Sequence, residues 1–368
     1  MPTRRALLTS AAAVLALSLA APAFAQSDRP MPVVATFSIL GDMVKRIGGE
    51  HVAVTTLVGP DGDTHVYQPT PADARAVSEA TVLVVNGLQF EGWLDRLIDA
   101  SDFRGVRVVA TEGTELIAFD DEHGNGGSHE AHDEEAGHDH DHDGHAEAGH
   151  DDDHDDEEHA EAATHDHDDD HGDEAHGDEA HAEGDDHDHH HHGAFDPHGW
   201  QSLGNAEAYV DNITAALAQA DPANAADFYQ SRAAYVAEIA ALDAEIHEIV
   251  AALPAERRTV VTSHDAFQYF GRDYGLTFLA PQGLSTESEA SAKDVARLIE
   301  RIRDEGISAV FVENITDPRL LKQIADETGA TIGGTLYPGA LSGPDGPAPT
   351  YLDMMRHNAT TLAQALAS

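Results

Sequence analysis

The chain has 368 residues, a formal net charge of −48 at pH 7 and no cysteine. The missing cysteines exclude a disulfide framework and thiolate ligands, so a metal site would have to use His, Asp, Glu or water. A chain this acidic offers no basic patch to neutralise phosphates, which excludes nucleic acid as a partner.

The N-terminus has the pattern of an export signal. Arg4 and Arg5 precede an apolar run over residues 6–20, and Ala23, Phe24 and Ala25 form a small-residue cleavage site. This order predicts a cleaved secretory signal over residues 1–25, because the apolar run is too short for a typical membrane span. Both the general and the twin-arginine export routes fit the paired arginines. No cysteine follows the signal, so we expect a soluble periplasmic protein without a lipid anchor.

Strands and helices alternate in the first half of the remaining chain, a pattern typical of parallel βαβ units. The predicted strands cover residues 33–39, 52–58, 81–85 and 106–110, and predicted helices end at residue 48 and cover 70–80 and 91–100.

Most of the charge lies in a segment that follows, residues 120–193, which we call the insert. It holds 31 Asp and Glu, 20 of the 26 His, and no Lys or Arg. Such a segment buries too little apolar surface to offset its ordering entropy, so it is predicted to be disordered.

The second half begins with helices and then returns to alternation. Helices are predicted over residues 200–220 and 223–253, and the second runs for about 30 residues, or about 45 Å, without Gly or Pro. Strands are then predicted at 259–263, 276–280, 307–312 and 331–336, with helices at 292–305, 318–328 and 351–367. The predicted fold class is α/β, with two parallel-sheet β/α lobes joined by a long rigid backbone helix. The predicted boundaries are 31–220 for the first lobe including the insert, 221–253 for the helix and 254–368 for the second lobe.

Three histidines outside the insert lie at junctions between predicted elements. His65 follows a turn after the second strand, His198 precedes a helix in Asp196-Pro197-His198, and His264 ends a strand of the second lobe. The carboxyl ends of strands border the ligand crevice in open α/β sheets. A metal bound by these histidines would therefore join the two lobes in the cleft between them.

Five motifs, found in order along the chain, resemble those of the solute-binding proteins of zinc and manganese ABC transporters. They are GPDGDTHVYQP (59–69), NGLQFEGW (86–93), DPHGW (196–200), SHDAFQYF (263–270) and YLDMMRHN (351–358). The resemblance implies two lobes on a backbone helix, with metal held in the cleft by His65, His198 and His264. It also implies a membrane permease as partner and, by analogy, a monomer.

The resemblance bears on the choice of metal. At the position of His264, manganese members commonly carry Glu and zinc members His, and three imidazoles suit zinc better than manganese. Members often supply a fourth, carboxylate ligand in a pattern like Tyr-Ser-Asp-Ala-Leu, but here Gly339 occupies the place of the Asp. Water or Asp345 is then the favoured fourth ligand, with Glu313 as a further candidate.

The expected function is high-affinity zinc binding for an ABC transporter, with one tight Zn²⁺ site in the cleft. The insert, with pairs such as those in DHDH (139–142) and the run HHHH (189–192), is expected to add weak zinc sites for capture, buffering or hand-over. The alternative for the insert is a solvated acidic tract without a specific role.

The sequence leaves two alternatives to zinc transport open. A manganese- or iron-binding member of the same family is the first alternative, and a periplasmic zinc buffer or metallochaperone is the second. A periplasmic zinc chaperone is a further candidate partner. A metallohydrolase is disfavoured because the sequence has no H-E-x-x-H motif and no carboxylate evidently placed as a general base, so the protein is not expected to be an enzyme.

Overall fold

A computed structural model of the chain describes residues 29–118 and 194–367. The predicted signal over residues 1–25 and the predicted insert over residues 120–193 lie outside the described residues. Within the described ranges, no helix combines the length and the apolar composition needed to cross a membrane.

The first lobe is built on a four-stranded, wholly parallel sheet in the order β2-β1-β3-β4. Its strands are β1 (Met31–Phe37), β2 (Val52–Val58), β3 (Val82–Val85) and β4 (Val106–Val109), and its helices are α1 (Ser38–Gly48), α2 (Pro71–Glu79) and α3 (Leu94–Ser101). All four residues of β3 are buried, as expected for a central strand covered on both faces. Thr70 begins α2 with a reciprocal capping box to Asp73, followed by Pro71 at the first helical turn, a strong local start signal.

Two long helices follow, α4 (Leu203–Ala220) and α5 (Ala225–Ala251). With 27 residues, α5 is about 40 Å long. It packs against α1 and α4 of the first lobe and against the C-terminal helix of the second lobe. Its buried side chains recur at helical spacing: Phe228, Tyr235, Ile239, Leu242, Ile246 and Val250. This stripe lets one apolar core run from the first lobe into the second.

The second lobe has the same architecture, a parallel sheet in the order β6-β5-β7-β8. Its strands are β5 (Thr259–Val261), β6 (Thr277–Leu279), β7 (Ala309–Glu313) and β8 (Thr331–Leu336), and its helices are α6 (Gln268–Tyr274), α7 (Ala292–Glu305), α8 (Arg319–Thr328) and α9 (Tyr351–Leu366). The prediction of two parallel-sheet α/β lobes is confirmed. In each sheet the chain crosses from one side of the first strand to the other, which creates a topological switch point at its carboxyl end.

The observed elements differ from the predicted ones mainly at their ends. The predicted strand 33–39 is shorter at its carboxyl end, because α1 begins at Ser38 with the buried residues Ile39 and Leu40. A continuous apolar run does not distinguish a buried strand from the buried start of the next helix. The helix predicted from residue 91 begins at Leu94, because Glu91 turns back to the sheet and accepts hydrogen bonds there.

Candidate metal centre

His65, His198 and His264 converge where the two lobes meet. The centroids of their rings are 5.5 Å (His65–His198), 5.6 Å (His65–His264) and 5.4 Å (His198–His264) apart. One ring nitrogen from each lies within 4.8 Å of the other two. Among the described residues, they form the only such group of three or more His, Cys, Asp or Glu side chains. Nitrogens bound to one tetrahedral zinc are about 3.3 Å apart, so a small inward movement would complete coordination.

His264 is held by Glu313 at the carboxyl ends of the two central strands of the second sheet. Glu313 Oε2 lies 2.6 Å from His264 Nδ1, and Oε1 accepts hydrogen bonds from the backbone N–H groups of Ser263 and His264. These contacts occupy the carboxylate and leave His264 Nε2 pointing at the other imidazoles. This nitrogen is buried and has no hydrogen-bond partner within residues 29–118 and 194–367. Burial opposes the charge on His264, but Glu313 outweighs it and raises the pKa of His264 above its ordinary 6.5.

His198 is held in the same way by a carboxylate of the first lobe. Asp196 Oδ1 accepts hydrogen bonds from the backbone N–H of His198 at 2.9 Å and from its Nδ1 at 2.7 Å. In the part of the chain that the structure describes, His198 Nε2 is buried without a hydrogen-bond partner. Burial, reinforced by the neighbouring His264, holds the pKa of His198 well below 6.5, so its ring is neutral near pH 7 and offers a lone pair to a metal. Burial also raises the pKa of Asp196 to about 7.

His65 differs from the other two, because it is only half-buried and lies on the loop between β2 and α2. Its backbone N–H donates to Asp63 Oδ1, while Asp63 Oδ2 accepts a 2.5 Å hydrogen bond from Thr286 of the second lobe. Two residues earlier, the N–H of Asp61 donates to Leu341 O of the second lobe at 2.8 Å. The loop that carries His65 is therefore fastened across the cleft by side-chain and backbone hydrogen bonds.

An aromatic shell surrounds the imidazoles on the first-lobe side. The Phe90 ring lies 4.8 Å from His65 and 5.8 Å from His198, and Trp200 lies 5.3 Å from His198. Both rings are buried, so they restrict water and keep the imidazoles in place. A Cβ atom at Gly339 would meet Trp200 at 3.8 Å and Phe90 at 4.0 Å, so Gly339 lies against this shell at ordinary van der Waals distance.

The structure separates the candidates for a fourth ligand. Asp345 is exposed, in a turn of the loop between β8 and α9, and it is not part of the three-residue group. Glu313 accepts three hydrogen bonds from the His264 segment and acts there as an orienting carboxylate. A fourth ligand from Asp345 or water stays a prediction.

Of the three carboxylates that support the histidines, Asp63 and Asp196 have a local sequence signal and Glu313 has none. Asp63-Thr64-His65 and Asp196-Pro197-His198 share the spacing Asp-x-His, and in both the Asp side chain accepts from the N–H two residues later. This is the local turn that Asp side chains favour. The partner of His264 comes from a strand 49 residues away, so no local pattern could reveal it.

Comparison with known proteins shows which family the chain belongs to. The family model described as zinc-uptake complex component A, periplasmic, matches residues 33–365. The iron-binding protein YfeA of Yersinia pestis is 28% identical over 332 residues, covering 90% of this chain and 85% of that protein.

Two solved structures are similar over nearly the whole chain. The Mn-bound periplasmic metal-binding protein of Candidatus Liberibacter asiaticus has a TM-score of 0.66 and 27% identity, covering 91% of this chain and 98% of its own. The periplasmic zinc-binding protein TroA of Treponema pallidum has a TM-score of 0.70 and 25% identity, covering 92% and 100%. The chain therefore belongs to the zinc-uptake complex component A family, the periplasmic metal-binding components of ABC transporters, and is not an enzyme.

Proposed function

We propose that this protein is the high-affinity zinc-binding component of a zinc-uptake ABC transporter, with His65, His198 and His264 as zinc ligands. The observation that carries the proposal is the pair of buried Nε2 atoms on His198 and His264, each without a hydrogen-bond partner among the described residues. A buried polar atom without a partner is costly in a folded protein. A metal ion bound between the lobes would satisfy both nitrogens at once.

The donor set favours zinc over manganese. Neutral imidazole nitrogen suits zinc, whereas manganese prefers carboxylate oxygen, and both carboxylates beside His198 and His264 contact Nδ1 atoms. Zinc bonds to imidazole are about 2.0–2.1 Å long. Related proteins are named for iron, manganese and zinc, so manganese or iron remains the alternative cargo.

The rest of the proposal concerns export, the fourth ligand and partners. The signal over residues 1–25 is cleaved, the mature protein is a soluble periplasmic monomer, and it delivers zinc to a membrane permease. Water or Asp345 completes the coordination. The insert adds weak zinc sites, and a periplasmic zinc chaperone is a candidate donor. The lobe boundaries at 31–220, 221–253 and 254–368 are part of the same proposal.

Competition between metals tests the choice of zinc. Zn²⁺, Mn²⁺ and Fe²⁺ are titrated into the mature protein against a chelator of known affinity, and we expect zinc to bind at least about 100-fold more tightly than manganese. His247→Ala is the matched control, because His247 is a half-exposed histidine on α5 outside the metal centre. Manganese binding as tightly as zinc would contradict the proposal.

Transport separates the proposal from a zinc buffer or metallochaperone. Deleting the gene should reduce zinc uptake by cells in zinc-poor medium, and the wild-type gene should restore it. Restoration by His264→Ala to the wild-type rate would contradict a role for this centre in uptake. Unchanged uptake after deletion would favour the buffer.

A further inference from the structure

A single tyrosine hydroxyl links the metal centre to the two segments that flank the insert, one before it and one after it. Tyr269 of α6 is completely buried, and its Oη accepts a hydrogen bond from the N–H of Ile117 at 3.2 Å and donates to the carbonyl of Asp196 at 2.8 Å. Ile117 lies just before the insert and Asp196 just after it. One hydroxyl of the second lobe therefore binds both flanks, which belong to the first lobe.

The flanks also pair with each other. Ala118 and Phe195 form an isolated antiparallel bridge, and the N–H of Asp196 donates to the carbonyl of Ile117 at 2.9 Å. This short pairing holds the two flanks together. The position of Tyr269 beneath the pairing means that displacement of either flank would pull on α6.

Asp196 connects this arrangement to the metal ligands. Its backbone carbonyl is bound by Tyr269, while its side chain orients His198 through Nδ1. Tyr269 follows His264 by five residues along the same segment. The hydroxyl thus ties the support of a first-lobe ligand to the segment that carries the second-lobe ligand.

We propose that Tyr269 is a positioning residue that sets the separation of His198 and His264 and couples the flanks of the insert to the metal centre. The inference rests on the proposed function of these histidines. It requires that loss of the hydroxyl changes metal binding more than loss of a comparable hydroxyl elsewhere in α6. Burial raises the pKa of Tyr269 to about 12, so the hydroxyl keeps its proton at physiological pH.

Tyr269→Phe in the full-length mature protein removes this hydroxyl alone. The matched control is Tyr274→Phe, since Tyr274 lies on the same helix, is buried, and donates to Asp243 Oδ1 at 2.7 Å, away from the flanks. Zinc affinity and the rate of zinc loss to excess chelator are measured for both variants. We expect about tenfold faster loss and weaker binding in Tyr269→Phe, as for other residues that orient metal ligands, and less than about twofold change in Tyr274→Phe.

Two further readouts distinguish positioning from general destabilisation. Amide hydrogen exchange at Ile117 should accelerate in Tyr269→Phe and stay unchanged in Tyr274→Phe. The visible absorption bands of Co²⁺ bound in place of zinc should shift only in Tyr269→Phe. Equal changes in both variants would overturn the inference, because they would reflect a destabilised α6 rather than a moved ligand.

A His198→Ala variant keeps the two claims separate. If Tyr269→Phe binds zinc like the wild type while His198→Ala loses the tight site, the positioning inference fails and the proposed function stands. If both Tyr269→Phe and His198→Ala retain the tight site, the positioning inference and the proposed function both fail.

Discussion

The two lobes have sheets of equivalent strand order, yet they supply the proposed metal ligands in different ways. Each lobe buries one carboxylate near the carboxyl ends of its two central strands. In the first lobe Glu91 accepts from Thr36 Oγ1 and from the backbone N–H groups of Asn86 and Gly87. In the second lobe Glu313 accepts two backbone N–H groups and also holds His264. The buried carboxylate of the first lobe binds only groups at the strand ends, whereas that of the second lobe also orients a proposed metal ligand.

The first lobe instead presents its ligands from segments outside the sheet. His65 and His198 each follow an Asp by two residues, and the Asp fixes the backbone of the ligand. His198 and His264 are completely buried, whereas His65 is half-buried on a loop held by the second lobe. We infer that His198 and His264 are preorganised and that His65 is the ligand whose position depends most on closure of the cleft.

Removal of a ligand should have the largest effect and should expose this difference. We expect His264→Ala to weaken zinc binding by more than about 100-fold, because even orienting partners contribute about 10- to 100-fold. His65→Ala should cost less than His264→Ala, because its loop must also be ordered across the cleft. Zinc affinity measured by chelator competition checks both. A larger loss for His65→Ala than for His264→Ala would contradict the preorganisation of His264.

Exchange of the two buried carboxylates for amides tests their different roles. Gln has one acceptor oxygen where Glu has two, so Glu313→Gln must leave either His264 Nδ1 or the backbone N–H groups without an acceptor. We expect about 10- to 100-fold weaker zinc binding. Glu91→Gln creates the same shortage in the first lobe, where no imidazole is attached, and should lower thermal stability while leaving zinc affinity nearly unchanged. A similar loss of zinc affinity in both variants would show that the two carboxylates do not differ in their role.

The pH dependence of zinc binding should follow His264. The pKa of His264 is raised above 6.5, so a proton competes with zinc for His264 as the pH falls through that raised pKa. The pKa of His198 is lowered, so His198 stays neutral to lower pH. Affinity should therefore decline by up to about tenfold per pH unit on the acidic side. In Glu313→Gln the decline should begin at lower pH, because the anion that raises the pKa is gone. Isothermal titration between pH 5 and 8 measures both curves.

The smallest effect is expected from the hydrogen bond that fastens the His65 loop across the cleft. Thr286→Val removes the donor to Asp63 Oδ2, and a hydrogen bond to a charged group contributes about 1.5 kcal/mol or more. Zinc loss to excess chelator should accelerate by about tenfold. Thr316→Val is the control, since Thr316 bonds to Ser263 within the second lobe. Faster loss in Thr316→Val than in Thr286→Val would contradict the role of this link.

Much of the fold follows from local sequence patterns. Alternating apolar segments and turn residues give the order of strands and helices, and α5 is evident from its length without Gly or Pro. The places where prediction and structure differ depend on long-range contacts, such as the return of Glu91 to the sheet that delays the start of α3.

The three histidines could be predicted because strand and helix junctions mark the crevice. Their supporting contacts could not be predicted, because they join distant segments. Glu313 reaches His264 across 49 residues, and Thr286 reaches Asp63 across 223. Asp196 lies beside its partner His198 in the sequence, and the Asp-x-His spacing shared with Asp63 and His65 was the signal available for it.

X-ray absorption at the zinc edge tests the three-histidine zinc site most directly. The protein is prepared with residues 120–193 replaced by a short Gly-Ser linker, which the pairing of Ala118 with Phe195 permits, and is loaded with one equivalent of zinc. We predict three imidazoles at about 2.0–2.1 Å, falling to two in His264→Ala. An oxygen-dominated shell, or an imidazole signal unchanged by His264→Ala, would contradict this prediction.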